Sequence, residues 1–144
     1  MGKILIVFAT RSDETKGIAN FIGEGIRIAG HEAEVKKINE IKNEENLMGY
    51  DGYVFGSATY HGEMITSMKQ LLFIAERAEL KGKPGGAFGA FGWSGEAPGR
   101  IFDTMANIFG MNMISAGPLM LKASWVEGGM KASQEYGKSI AAMI

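Results

Sequence analysis

The chain has 144 residues, 46% hydrophobic and 22% charged, with a formal net charge of −1. That is the composition of one folded domain, long enough to bury a core without staples. It has no cysteine, which excludes disulfide frameworks, thiolate metal sites, iron–sulfur ligation and a cysteine nucleophile together. The charge balance argues against nucleic acid, which needs a basic face, and no apolar run approaches the roughly 20 residues of a membrane span.

Met1-Gly2-Lys3 runs directly into the first predicted strand. The expectation is a single domain over 1–144 with no signal peptide, soluble and cytoplasmic. Ile4-Leu5-Ile6-Val7-Phe8-Ala9 is unbroken and apolar, as a central parallel strand covered on both faces should be. It empties into Thr10-Arg11-Ser12-Asp13-Glu14-Thr15, which has three hydroxyls and no glycine. A helix is predicted from about Asp13, so its unpaired backbone N–H groups point back into the loop. Hydroxyls beside a helix N-terminus suit a phosphate monoester. The dinucleotide loop G-x-G-x-x-G is absent, and so is the triphosphate loop ending in Gly-Lys-Ser/Thr. Flavin mononucleotide (FMN), with one terminal phosphate, fits best. Taken alone, an ordinary cap with Ser12 at its head would look the same.

Further along, Ile18, Ile22, Gly25, Ile26 and Ala29 share a helix face that Gly30 closes. Residues 32–38 read as an outer strand with Ala33, Val35 and Ile38 inward, and 42–46 as a polar connection or short helix. Residues 52–56, Gly-Tyr-Val-Phe-Gly, form a second central strand. Met64, Met68, Leu71, Leu72 and Ala75 make a helix stripe ending near Lys81-Gly82. Residues 84–91 are a strand whose glycines at 85, 86 and 89 suggest close approach of a helix or ligand. Ile101, Met105, Ile108 and Phe109 mark a helix stopped at Gly110. Residues 113–123 read as one long last strand, with Pro118 placing it at or near an edge. Met130, Ser133, Gly137, Ile140 and Ala141 give the closing helix. This alternation predicts a doubly wound α/β fold, a parallel sheet with helices on both faces and right-handed crossovers.

Ligands of such sheets bind outside the C-terminal ends of the strands, at the switch point. Function should therefore concentrate in residues 10–15, in Ser57-Ala58-Thr59-Tyr60-His61-Gly62-Glu63, and in Phe91-Gly92-Trp93-Ser94-Gly95-Glu96. The last two loops each carry a large aromatic among small residues. Stacked on a planar heterocycle, each would add about 0.5–1.5 kcal/mol beyond burial. Glu63 and Glu96 lack an accompanying nucleophile or metal-ligand set, so no catalytic residue and no metal ligand is assigned. The ten methionines read as adaptable core packing, and Trp125 and His31 as structural.

With these loops in view, the chain resembles the flavodoxins, in particular the flavodoxin-type domain of flavodiiron proteins. The resemblance runs over the full length. It is carried by Gly56-Ser57-Ala58-Thr59-Tyr60, by Phe91-Gly92-Trp93-Ser94-Gly95-Glu96-Ala97, and by Gly117-Pro118-Leu119 through Glu135-Tyr136-Gly137-Lys138. It implies a five-stranded sheet of order 2-1-3-4-5 with one non-covalent FMN, working as a monomeric electron carrier between redox partner proteins. Thr10, Ser12 and Thr15 match the family's phosphate-loop hydroxyls, with Arg11, Asp13 and Glu14 in the same loop. Thr59, Tyr60, His61 and Gly62, led in by Ser57 and Ala58, match the loop beside the flavin ring. Phe91, Gly92, Trp93 and Gly95 match the loop on its other side. In the family a backbone carbonyl turns toward the flavin N5; that peptide here is His61-Gly62, and Gly62 permits the rotation. The two histidines are too few for the diiron half of the larger proteins, so its oxygen or nitric-oxide chemistry is not implied.

Three departures stand out. Asp13-Glu14 replaces the usual Gly-Asn: either both acids point outward as first-turn charges, offset by Arg11, or phosphate is held weakly. The net charge of −1 is far from the strong acidity typical of flavodoxins, so steering toward basic partners is weaker or local. His61 stands where many members have glycine. The alternative on the same fold is an FMN-dependent NAD(P)H:quinone or flavin reductase, which usually carries insertions that this chain lacks. A receiver domain needs acids where Ala9-Thr10 and Gly56-Ser57 stand, and a Cys-x5-Arg phosphatase needs a cysteine.

Overall fold

The computed structural model describes residues 2–9, 13–60, 63–90, 96–122 and 127–144, apart from the side chains of residues 13, 60 and 63. In chain order they form β1 (Lys3–Ala9), α1 (Asp13–Ile28), β2 (Glu32–Lys37), 3-10 turns at Ile38–Glu40 and Glu44–Leu47, and β3 (Gly52–Ser57). Then come β4 (Thr59–Tyr60), β5 (Glu63–Met64), α2 (Thr66–Arg77), β6 (Pro84–Ala90), α3 (Glu96–Asn107), β7 (Asn112–Met113), β8 (Leu119–Leu121) and α4 (Gly129–Ala141). The parallel main sheet runs β2-β1-β3-β6, and β7 and β8 share the fifth place beside β6. This is the expected 2-1-3-4-5 order.

Alternation along β1 feeds two cores, because successive side chains leave a strand on opposite faces. Ile4, Ile6 and Phe8 pack with Ile18, Ile22 and Ile26 of α1 and with Tyr136 and Ile140 of α4. Leu5, Val7 and Ala9 pack with Met68 and Leu71 of α2 and with Ile101 and Met105 of α3. Helices therefore cover both faces. In the first layer α1 and α4 meet backbone to backbone. A Cβ on Gly25 would stand 2.0 Å from the Gln134 carbonyl oxygen, and one on Gly137 2.1 Å from that of Ile22. Only glycine fits at either position.

The glycines of β6 are explained by their neighbours. A Cβ on Gly85 would meet Met113, one on Gly86 would meet Tyr136 and Ile140, and one on Gly89 would lie 2.2 Å from the Ser57 carbonyl oxygen. The expected long last strand is in fact two short ones: β7 pairs the start of β6 and β8 pairs its end. Between them the Gly117 N–H turns back to the Ile114 carbonyl (3.1 Å), and Gly117 takes φ 81° just before Pro118. Met64 is another correction. It lies in β5, outside α2, yet reaches the same core as Met68 and Leu71, so its helical spacing was only apparent. Helix α2 stops at Arg77, short of 81–82, and a 3-10 turn at Glu44–Leu47 overlaps the 42–46 connection. Ile108, Met130 and Ala29, expected inward, are exposed. No described helix is long and apolar enough to cross a membrane.

Candidate flavin site

The candidate site lies where β1, β3 and β6 end. Helix α1 begins at Asp13, so its first backbone N–H groups have no partner within the helix. In that first turn Glu14 is half-buried and Thr15 is fully buried, with 0% exposure. Among the described residues the Thr15 hydroxyl is a buried polar atom with no hydrogen-bond partner. Leaving such a group unpaired costs roughly 1–3 kcal/mol, and an anionic oxygen would supply the missing acceptor. The orphan points to a ligand that accepts hydrogen bonds at the head of α1. The chemistry of this donor set fits a phosphate monoester.

At the end of β3 the polar side chains serve the loop itself. Ser57 is buried; its hydroxyl donates to the Ala58 carbonyl (2.8 Å) and accepts from the Ile65 N–H (3.1 Å). That clasp closes the antiparallel β4–β5 hairpin, in which Thr59 pairs with Met64 and Tyr60 with Glu63. The sequence of 57–63 predicts only a loop; the pairing of 59–60 with 63–64 is what the structure adds. Ala58 is buried, and its N–H reaches the Ala9 carbonyl (3.4 Å), joining the ends of β1 and β3. Thr59 crosses to the next element: its hydroxyl accepts the Ala97 N–H (3.0 Å) from the first turn of α3.

Of the expected site residues, Asp13, Glu14 and Thr15 thus sit in the first turn of α1, and Ser57, Ala58, Thr59 and Tyr60 in and beside the hairpin. The roots of the three loops are brought together at the end of the sheet where β1, β3 and β6 finish. Thr10, Arg11, Ser12, His61, Gly62, Phe91, Gly92, Trp93 and Gly95 lie outside the described residues.

A doubly wound 2-1-3-4-5 sheet whose first strand leads to a helix head with an unsatisfied buried hydroxyl has the architecture of a mononucleotide-binding α/β domain. Residues 6–136 match the family model for flavodoxin, and the chain belongs to the flavodoxin family, the FMN-binding electron-transfer proteins. It is similar to an archaeal flavodoxin of known structure, with 27% identity and a TM-score of 0.90 over 98% of this chain and 97% of that one. Flavodoxin 2 from Bacillus cereus is 25% identical, with a TM-score of 0.86 over 99% of both chains. The anaerobic nitric oxide reductase flavorubredoxin of Aliivibrio fischeri is 27% identical over 96% of this chain. The chain spans 28% of that relative's length.

Proposed function

We propose that this chain is a cytoplasmic electron carrier of the oxidoreductase class, a single domain acting as a monomer without catalytic side chains or metal ligands of its own. The observation that carries the site is the buried, unpartnered hydroxyl of Thr15 at the head of α1. Thr10, Ser12 and Thr15, with the first N–H groups of α1, would hold the phosphate of FMN. Residues 57–62 and 91–95 would line the ring, Tyr60 and Trp93 supplying aromatic walls and His61-Gly62 the adaptable peptide. The bound FMN supplies the redox chemistry, and the protein binds it, orients it and sets its surroundings. Electron exchange is with redox partner proteins. The nitric-oxide activity in the flavorubredoxin name belongs to a much longer protein; the electron-carrying part is what we carry over to this chain.

Titration of the purified protein with FMN tests this reading. The expected result is a yellow protein with one FMN per chain, released on denaturation, and much weaker binding of riboflavin, which lacks the phosphate. A protein that takes up no FMN overturns the proposal. Sustained NAD(P)H oxidation with a quinone acceptor would instead support the reductase alternative.

A further inference from the structure

Backbone groups along a parallel strand alternate between its two neighbours, so β6 turns Gly85, Ala87 and Gly89 toward its edge partner. The first is served by β7: Met113 pairs with Gly85, and the Ile114 N–H donates to the Gly85 carbonyl at 2.9 Å. The third is served by β8, with Met120 opposite Gly89. Between them the chain leaves the sheet, and the strand pairing skips Ala87.

Tyr136 of α4 occupies the gap. Its hydroxyl accepts from the Ala87 N–H at 3.2 Å. The same oxygen lies 2.7 Å from the Gly117 carbonyl oxygen and 3.1 Å from that of Ala87. A tyrosine has one proton to donate, and the shorter contact assigns it to Gly117. The Ala87 N–H, the phenol oxygen and the Gly117 carbonyl thus make one strand-to-strand bond with a hydroxyl inserted in it. Gly86 makes the room, since a Cβ there would stand 2.9 Å from the phenol oxygen. Burial pushes the phenol pKa up, with the Ala87 backbone bond opposing, so the group keeps its proton at neutral pH.

Both ends of this inserted bond lead to the proposed flavin edge. From Ala87 the strand runs three residues, about 10 Å, to Ala90, where β6 ends and residues 91–95 follow. From Gly117 the chain rejoins β6, with Leu119 opposite Phe88 and Leu121 opposite Ala90. We propose that Tyr136 is a positioning residue for the flavin: its hydroxyl fixes the register in which β8 rejoins β6, and so the exit of β6 into the ring-side loop 91–95. This rests on the reading of that loop as a flavin wall.

The test compares wild type with Tyr136→Phe, which keeps the ring and deletes the bridge. Affinities for FMN and for riboflavin, the visible spectrum of bound flavin, and amide exchange at Ala87 in the flavin-free protein are measured. Both affinities should fall by the same factor, about fivefold for one net hydrogen bond, because the phosphate loop follows β1 and is untouched. The visible band should shift, and Ala87 should exchange faster. Ser133→Ala is the control. It removes another buried α4 hydroxyl, one bonded among the described residues only to the Gly129 carbonyl of its own helix (2.8 Å), and should leave flavin affinity and spectrum unchanged.

Wild-type affinities and spectrum in folded Tyr136→Phe overturn the proposal, and so does a loss confined to FMN. Should that variant fail to fold, 4-aminophenylalanine at position 136 keeps the ring and a donor to Gly117 but offers the Ala87 N–H a much poorer acceptor; it should weaken both flavins together, and unchanged binding overturns the proposal. Wild-type protein that binds neither flavin overturns the flavin reading itself, a result distinct from equal binding by the two chains.

Discussion

At the end of the sheet where the strands begin, the polar side chains close on partners within the chain. Glu34 pairs with the Lys3 ammonium at 2.7 Å and accepts from the Tyr50 hydroxyl at 2.5 Å. The Lys3 backbone N–H donates to Asp51 at 2.9 Å, and the Gly2 N–H to His31 Nδ1 at 2.7 Å. The Tyr53 hydroxyl donates to the Leu47 carbonyl. Where the strands finish, Thr15 holds a buried hydroxyl with no partner among the described residues. Both sets are ordinary residues, at opposite ends of the same sheet. A closed polar network is scaffold, while an orphan at a helix head marks where a ligand supplies the missing partner.

Removing the orphan breaks this contrast most sharply. Thr15→Val keeps the shape and deletes the hydroxyl. FMN affinity should fall about 10- to 100-fold, the worth of a hydrogen bond to a charged group at roughly 1.5–3 kcal/mol, as read by fluorescence titration. The flavin-free protein should be equally stable or more stable in urea, because an unsatisfied buried group has gone. Loss of stability without loss of affinity would make Thr15 scaffold like the residues of the other end.

Thr59→Val probes a site-end hydroxyl that does have a partner. It leaves the Ala97 N–H of α3 unpaired and should destabilise the flavin-free protein by about 1 kcal/mol. For a domain of this size that is a fall in Tm of roughly 2–4 °C. Calorimetry of the flavin-free protein checks it, and an unchanged Tm would mean the link between hairpin and α3 holds nothing.

The smallest effect belongs to the scaffold end. The Lys3 hydrogen bond first, then that of Tyr50, hold the Glu34 carboxyl below the usual glutamate range. A lowered folded-state pKa contributes stability that is present above the ordinary value, near 4.3, and is lost as pH falls through the lowered one. About a third of the side chain is exposed, so solvent screening keeps this under about 1 kcal/mol. Glu34→Gln should therefore unfold slightly more easily at neutral pH, and the gap from wild type should close below about pH 4. Flavin affinity should not move. A gap that widened in acid would reverse the assignment.

What was legible in the sequence follows the range of the forces involved. The unbroken run Ile4 to Ala9 and the turn at Gly30 are local signals, and β1 and the end of α1 lie where they indicate. The glycines of β6 announced close neighbours without naming them, since Tyr136 and Ser57 arrive from other elements. The break in the edge strand was legible only as Pro118. What holds it open is a hydroxyl from α4, and no local pattern carries that. Met64 misled because a hairpin residue and a helix residue can reach one core at the same spacing. At the site, hydroxyls near a helix head were legible, but the isolation of Thr15 and the engagement of Ser57 and Thr59 depend on neighbours distant in the chain.

The contact of Gly25 with Gln134 and of Gly137 with Ile22 also sets an order in time. Helix α1 carries the proposed phosphate end of the site, yet the groove it packs into is made by α4, more than a hundred positions later in the chain. At synthesis rates of roughly 5–20 residues per second, α1 waits on the order of 5–20 s for its backbone partner. Through that interval the flank of α1 around Ile22 and Gly25 stays bare, and the pairing that finally covers it is among the least local in the fold. Helix α1 is therefore made well before the partner that seats it.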